Sequence, residues 1–207
     1  MCGVSRQGNT GKLQLLTDVA CLTVQRKDMT PSVAEIISRD PLSWIDRSYL
    51  PASVSGLTGV QKAMLNSMIN RKFSLTPLGD DVLDDPEVRF VCLNWFHIRQ
   101  AAFLMACHRY RSAIRQSKTI HSLDTKARVF MDLNWSGESA RQQKYTHTIN
   151  IVSLARDEMQ PYLKELPHGI SERLSLLFPH TVEKQPSAPF DKLLFIMALT
   201  HAKTYSV

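Results

Sequence analysis

Between Glu87 and Asp124 the chain carries no acidic residue and six bases, Arg89, Arg99, Arg109, Arg111, Arg115 and Lys118. Up to residue 87 there are nine Lys/Arg against ten Asp/Glu, and from residue 124 onward ten against nine, so this one segment holds the formal excess of +6. His108, Arg111, Arg115 and Lys118 recur at i, i+3, i+7 and i+10, which on a helix is one face. The chemistry available to such a face is electrostatic: it can meet phosphates, an anionic lipid surface or an acidic protein surface. Its plainest reading is a solvated helix end, where cations are favoured by the dipole.

Covalent and metal chemistry have weaker support. His97 and His108 are eleven residues apart and could share a helical face with Cys92 and Cys107 nearby, but no HExxH or comparable ligand pair is present. The carboxylates of Thr76–Glu87 fit no calcium-loop spacing, and Asp85-Pro86-Glu87 reads as a helix N-terminus with cap, N1 proline and first-turn acid. In GVSRQGNT the glycines Gly3 and Gly8 have P-loop spacing, but Asn9 stands where the phosphate-binding Lys is needed. There is no G-x-S-x-G elbow, and no Ser–His–Asp set can be picked out. No cofactor, no metal and no enzymatic activity are expected.

The elements that carry these residues read as helices. With 43% apolar residues across 207 positions a core can form, while alternating strand patterns and Asn-Gly hairpins are lacking. Thr30-Pro31 and Asp40-Pro41 each look like N-cap and N1, opening short pieces. From Leu57, Val60, Met64, Met68 and Phe73 mark an amphipathic helix. Val88 to Ser117 is one long helix or two with a kink. Further helices are expected near Leu123–Leu133, Arg141–Met159, Ile170–Phe178 and Pro189–Tyr205. Cys2, Cys21, Cys92 and Cys107 show no C-x-x-C pairing and are expected to be free thiols. No apolar run reaches the ~18 residues of a membrane span, residues 1–12 lack a secretory h-region, and Cys2 displaces the Gly of a myristoylation signal. These features predict an all-α cytosolic protein: a loosely packed segment over residues 1–30, then a single compact multi-helix domain over 31–207, with short helices and turns near its start.

Three stretches carry a resemblance. RDPLSWIDRSYLP (Arg39–Pro51) is similar to a DP-hydrophobic-S-aromatic-I pattern, AAFLMACHRYRSAI (Ala101–Ile114) to an aromatic-leucine helix followed by C-H-basic, and ISERLSLLFP (Ile170–Pro179) to an R-x-x-L-L-F-P segment that precedes an apolar helix. In this order, over about Ile36 to Tyr205, the chain resembles the OrgA/MxiK branch of the SctK proteins, accessory components of type III secretion sorting platforms. The resemblance implies a non-enzymatic adaptor at the cytoplasmic face of the inner membrane. It would join an SctD-type inner-membrane ring protein to an SctQ-type spoke, and through the spoke to the SctL stator and the SctN ATPase. The basic stripe would then face an acidic partner or the anionic inner leaflet. The rival reading is a helical nucleic-acid-binding regulator, against which stands the lack of a helix-turn-helix signal or interleaved stacking aromatics.

Trp44 and Tyr49 admit two readings. Either Trp44 and Ile45 plug the N-terminal segment into the core while Tyr49 turns the chain, or both aromatics are exposed anchors for a partner. The core reading is favoured. Leu174, Leu177 and Phe178 are expected in the core, with Arg173 as an outer contact.

Overall fold

The structure, a computed structural model, describes residues 31–51, 54–133, 149–180 and 189–204. Among them there are α-helices and 3-10 turns and no strand, so the chain is all-α. The expected loose segment over residues 1–30, the Thr30 cap, Cys2 and Cys21 lie outside the described residues.

The most apolar stretch forms three consecutive helices, α3 (Pro86–Leu93), α4 (Trp95–Arg109) and α5 (Arg111–Gln116), rather than one or two. They are separated by single residues, Asn94 (φ −106°, ψ 7°) and Tyr110 (φ −100°, ψ 17°). Asn94 breaks the first join by local competition: its Nδ2 donates to the Phe90 carbonyl at 2.6 Å, taking an acceptor that the backbone ladder would use. Asp85 caps α3 as the sequence implies, accepting from the amides of Glu87 and Val88 at 2.8 and 3.3 Å. From Ala101 to His108 every side chain of α4 except the half-buried Phe103 is buried. A helix apolar all round must be covered all round. The cover comes from α6 (Thr125–Met131), α7 (Ile151–Leu163) and α9 (Lys192–Thr204), which all pack on α4. Ala101, Ala102 and Ala106 let these neighbours approach closely.

On the N-terminal side, α1 (Pro31–Arg39) is followed by 3-10 turns at Pro41–Ser43 and Arg47–Tyr49, then α2 (Gly59–Lys72). Asp40 does not cap the first turn. Its Oδ1 instead accepts from Asn66 Nδ2 at 2.7 Å, while Asn66 Oδ1 accepts from the Leu42 amide at 2.9 Å. A single Asn thus stitches α2 to the irregular segment. Helix α2 opens with a capping box between Thr58 and Gln61. It closes with Ser74 at φ 51° and the Leu75 amide bonded back to the Asn70 carbonyl at 2.9 Å, which returns Leu75 to the core.

In the C-terminal half, α7 runs four residues beyond the expected Met159, carrying Pro161 in its last turn, where the proline removes one i→i−4 backbone bond and the helix ends two residues later. The part expected over residues 141–148 lies outside the described residues. Helix α8 (His168–Ser175) starts directly after Pro167 and stops before Leu177 and Phe178, which are buried. Tyr162 stacks on Phe190 with centroids 4.4 Å apart, and Phe195 closes the cluster. The Tyr162 hydroxyl donates to Glu87 Oε1 at 2.8 Å, and Lys192 Nζ reaches Glu87 Oε2 at 2.7 Å, joining α3, α7 and α9. Cys92 and Cys107 are buried free thiols, and burial pushes them up to about 11 and about 12.

Burial acts to raise the Glu87 carboxyl, but the hydrogen bonds from Lys192 and Tyr162 outweigh it and hold it below the usual carboxylate range. A carboxyl depressed in the folded state contributes stability above its unfolded pKa of ~4.3, and that contribution fades as pH falls through the folded value. Thermal unfolding of wild type and Glu87→Gln should therefore differ at pH 7, with wild type the more stable, and the gap should close progressively below about pH 4.

Candidate functional site

The basic segment does not present the four-residue face that its spacing implies. His108 is fully buried at the end of α4, its Nε2 lying 3.0 Å from the Leu133 carbonyl oxygen and 3.1 Å from Arg111 Nη1, its ring edge-on to Phe130. The helix breaks at Tyr110 and ends at Gln116, so the i, i+3, i+7, i+10 register is interrupted twice. Arg111 is half-buried beside His108, Arg115 pairs with Asp132, and Lys118 stands exposed at the start of a 3-10 turn. Arg115 and Lys118 point into solvent, while His108 does not.

The other bases of the segment are answered by groups brought from elsewhere in the chain. Arg99 pairs with the buried Asp46 at 2.7 Å. Arg109, itself nearly buried, pairs with Glu158 of α7 at 3.0 Å and lies 3.7 Å from Asp191, just before α9. Arg89 Nε donates to the Leu83 carbonyl at 3.0 Å. Folding thus pairs three of the six bases, Arg99, Arg109 and Arg115, with acids from other parts of the chain.

Trp44 is 6% exposed and meets Trp95 edge-on at 5.5 Å, the plug into α4 that the core reading expects. Tyr49 packs edge-on against Phe73 at 5.5 Å, and burial raises its hydroxyl pKa. Arg173, expected as an outer contact, is 1% exposed. Its Nη1 donates to the Gly169 carbonyl at 2.7 Å and its Nη2 to the Thr76 carbonyl at 2.6 Å, so it is a clamp between α8 and the irregular segment after α2. Burial draws its pKa down.

The concave feature of this side of the molecule is an open cleft of about 780 Å³ between residues 40–51 and 54–55, α2 and α4. Trp44, Ile45 and Leu50 supply apolar lining, and Arg47, Lys62 and Arg99 supply cations. A second apolar feature lies on α2. Leu65, Ile69 and Phe73 turn toward the core, whereas Val60, Met64 and Met68, on the opposite side of the helix, are 73%, 63% and 61% exposed. Of the positions that mark α2 as amphipathic, Val60, Met64 and Met68 thus face solvent and Phe73 packs on the core. Among the described residues no group of three or more His, Cys, Asp or Glu is placed to hold a metal ion, and no helix is long and apolar enough to cross a membrane.

A family model for bacterial type III secretion apparatus proteins, OrgA/MxiK, matches residues 33–204. The chain belongs to that family. It is also similar to the oxygen-regulated invasion protein OrgA of Salmonella typhimurium, in three strains, at 22% identity over 179 residues, covering 84% of this chain and 89% of that protein. No solved structure matches.

Within this OrgA/MxiK chain the RLSLLFP segment owes its character to packing: Leu174, Leu177 and Phe178 are buried and Arg173 bridges two carbonyls. The sequence reading missed Arg47, Lys62 and the partnership of Arg99 with Asp46. The only signal for them was the density of charge around Trp44, which spacing alone cannot assign to partners. If Arg173 is a clamp, Arg173→Met should lower unfolding free energy by about 3 kcal/mol in denaturant titration, because the two charge-assisted hydrogen bonds from the buried guanidinium to the Gly169 and Thr76 carbonyls are lost. Arg173→Lys should recover only part of it, since an ammonium cannot reproduce the planar fork.

Proposed function

We propose that this chain is a non-enzymatic adaptor of a type III secretion apparatus, joining an SctD-type inner-membrane ring protein to an SctQ-type spoke at the cytoplasmic face of the inner membrane. Through the spoke it would connect indirectly to the SctL stator and SctN ATPase. Family membership supplies the apparatus, and the observation that carries the adaptor reading is the exposed stripe Val60, Met64 and Met68 on α2. Single exposed apolar residues are ordinary, but three aligned on the outer side of one capped helix form a contact surface. Methionine suits such a surface because its unbranched chain adapts to a partner. An adaptor needs two separable surfaces, and Lys118, exposed and without an acidic partner among the described residues, is the second candidate, for an acidic partner or the inner leaflet.

The nucleic-acid reading draws less support, because a phosphate-binding face needs unanswered cations, and Arg99, Arg109 and Arg115 are answered by Asp46, Glu158 and Asp132.

The test is a pair of titrations with purified SctQ-type and SctD-type partners, using wild type and the double variant Met64→Glu, Met68→Glu. Both side chains already face water, so the variant should fold normally by circular dichroism. It should bind at least one partner ten times or more weakly, a loss of about 1.4 kcal/mol or greater. Equal binding by wild type and variant would remove the stripe from the interface. Absence of binding to either partner by wild type, with salt-sensitive nucleic-acid binding in its place, would overturn the adaptor reading.

A further inference from the structure

The cleft beside Trp44 has a one-sided chemistry. Its apolar lining, Trp44, Ile45 and Leu50, is held rigidly: Trp44 is wedged against Trp95, and the neighbouring Asp46 amide is tied to the Leu176 carbonyl at 2.8 Å. Its acids are already committed. Asp40 Oδ1 accepts from Asn66 at 2.7 Å, and Asp46 accepts from the Ser48 amide at 2.9 Å and pairs with Arg99 at 2.7 Å. Arg47 and Lys62, on two different elements lining the cleft, have no acidic partner among the described residues. The Trp44 indole N–H is buried without an acceptor among the described residues. The cleft therefore offers two unpaired cations and apolar surface against a single carboxylate without a cation partner, Asp40, whose Oδ1 is taken by Asn66.

We infer that this cleft is a docking site for an acidic peptide segment of a partner protein, one that sets a carboxylate beside an apolar side chain. Charge complementarity to Arg47 and Lys62 selects the carboxylate, and the half-buried Leu50, with the accessible edges of Trp44 and Ile45 behind it, selects the apolar neighbour. The volume of about 780 Å³ lies within the range of pockets that enclose a ligand of that size. A small free anion would leave the apolar lining uncovered. A nucleic-acid strand would want exposed aromatic faces for stacking, and Trp44 is 6% exposed. The inference rests on the adaptor reading only in taking the partner to be a protein, and it uses a surface separate from the outer stripe of α2.

The test uses the full chain and a set of fluorescent seven-residue peptides alternating Glu or Asp with Leu or Phe, read by anisotropy. Controls are the same peptides with Gln and Asn for the acids, inorganic phosphate, and single-stranded RNA. At least one acidic peptide should bind wild type ten times or more tightly than its amide counterpart, and weaken as salt rises. Arg47→Glu with Lys62→Glu should lose that binding without loss of helicity, since both side chains are exposed. Leu50→Ala should weaken it through the apolar contact while leaving the salt dependence in place. Equal binding of acidic and amide peptides, retention of binding by the double variant, displacement by phosphate or RNA as readily as by peptide, or no binding by any peptide would each overturn the inference. Peptide binding alongside failure to bind ring and spoke proteins would sink the adaptor reading and leave the cleft standing. Ring and spoke binding with an inert cleft would do the reverse.

Discussion

Helix α4 is the constraint on which the remaining structure depends. Its second half is buried around nearly its whole circumference, and no single neighbouring helix can cover a cylinder. Helices α6, α7 and α9 are required on its flanks, and the chain must travel far in sequence to deliver them. The three alanines, Ala101, Ala102 and Ala106, set how closely these helices approach, so a larger residue at any of them would push a neighbour outward rather than fill a void. The first half of α4 is only partly covered. Trp95 and Ile98 face inward while Phe96 and Arg99 do not, and it is there that the irregular segment of residues 40–51 docks through Trp44 and Asp46.

Electrostatics follow from the same geometry. A central helix that carries basic residues and no acids can be buried only if acids arrive from other elements. Glu158 on α7 meets Arg109 in a setting where both side chains are largely shielded from water. Such a pair contributes little net stability relative to an apolar pair of the same shape, but removal of one partner leaves an uncompensated charge at a cost of about 3–5 kcal/mol. Its consequence is selectivity: α7 can pack on α4 in the register that brings Glu158 to Arg109, and poorly in others. Asp46 to Arg99 does the same for the N-terminal segment.

The all-α class, the Asp85 cap and the approximate places of α2, α6, α8 and α9 were legible because they rest on local patterns: caps, prolines and 3.6-residue periodicity. The break at Asn94 was not, because an Asn in an apolar run becomes a breaker only when its side chain takes the Phe90 carbonyl. The side of α2 that is covered was not legible for a related reason. Both sides of that helix carry apolar residues, Leu65 and Ile69 on one and Val60, Met64 and Met68 on the other, and periodicity cannot say which is covered. The candidate site was least legible of all. His108, Arg111, Arg115 and Lys118 are regularly spaced in sequence, yet their roles depend on Leu133, Asp132 and a helix break that lie outside any local window. Trp44 read correctly as a core plug because a large aromatic in an irregular segment has few other ways to anchor it.

The core and the contact surfaces divide the molecule into two kinds of region. Polar groups inside are consumed by clamps such as Arg173 and by imported ion pairs, while the outer side of α2 and the cleft beside Trp44 keep apolar and cationic groups unanswered. A rigid hub with unspent peripheral surfaces fits the proposed adaptor role, and α4 as that hub is the central claim. Native-state hydrogen exchange measured across a denaturant series tests it most directly. If α4 is the hub, the amides of Ala101–Cys107 exchange only through global unfolding, with free energies equal to the global value and above those of α2. Exchange of those amides through a local opening, at free energies below those of α7 or α9, would contradict it.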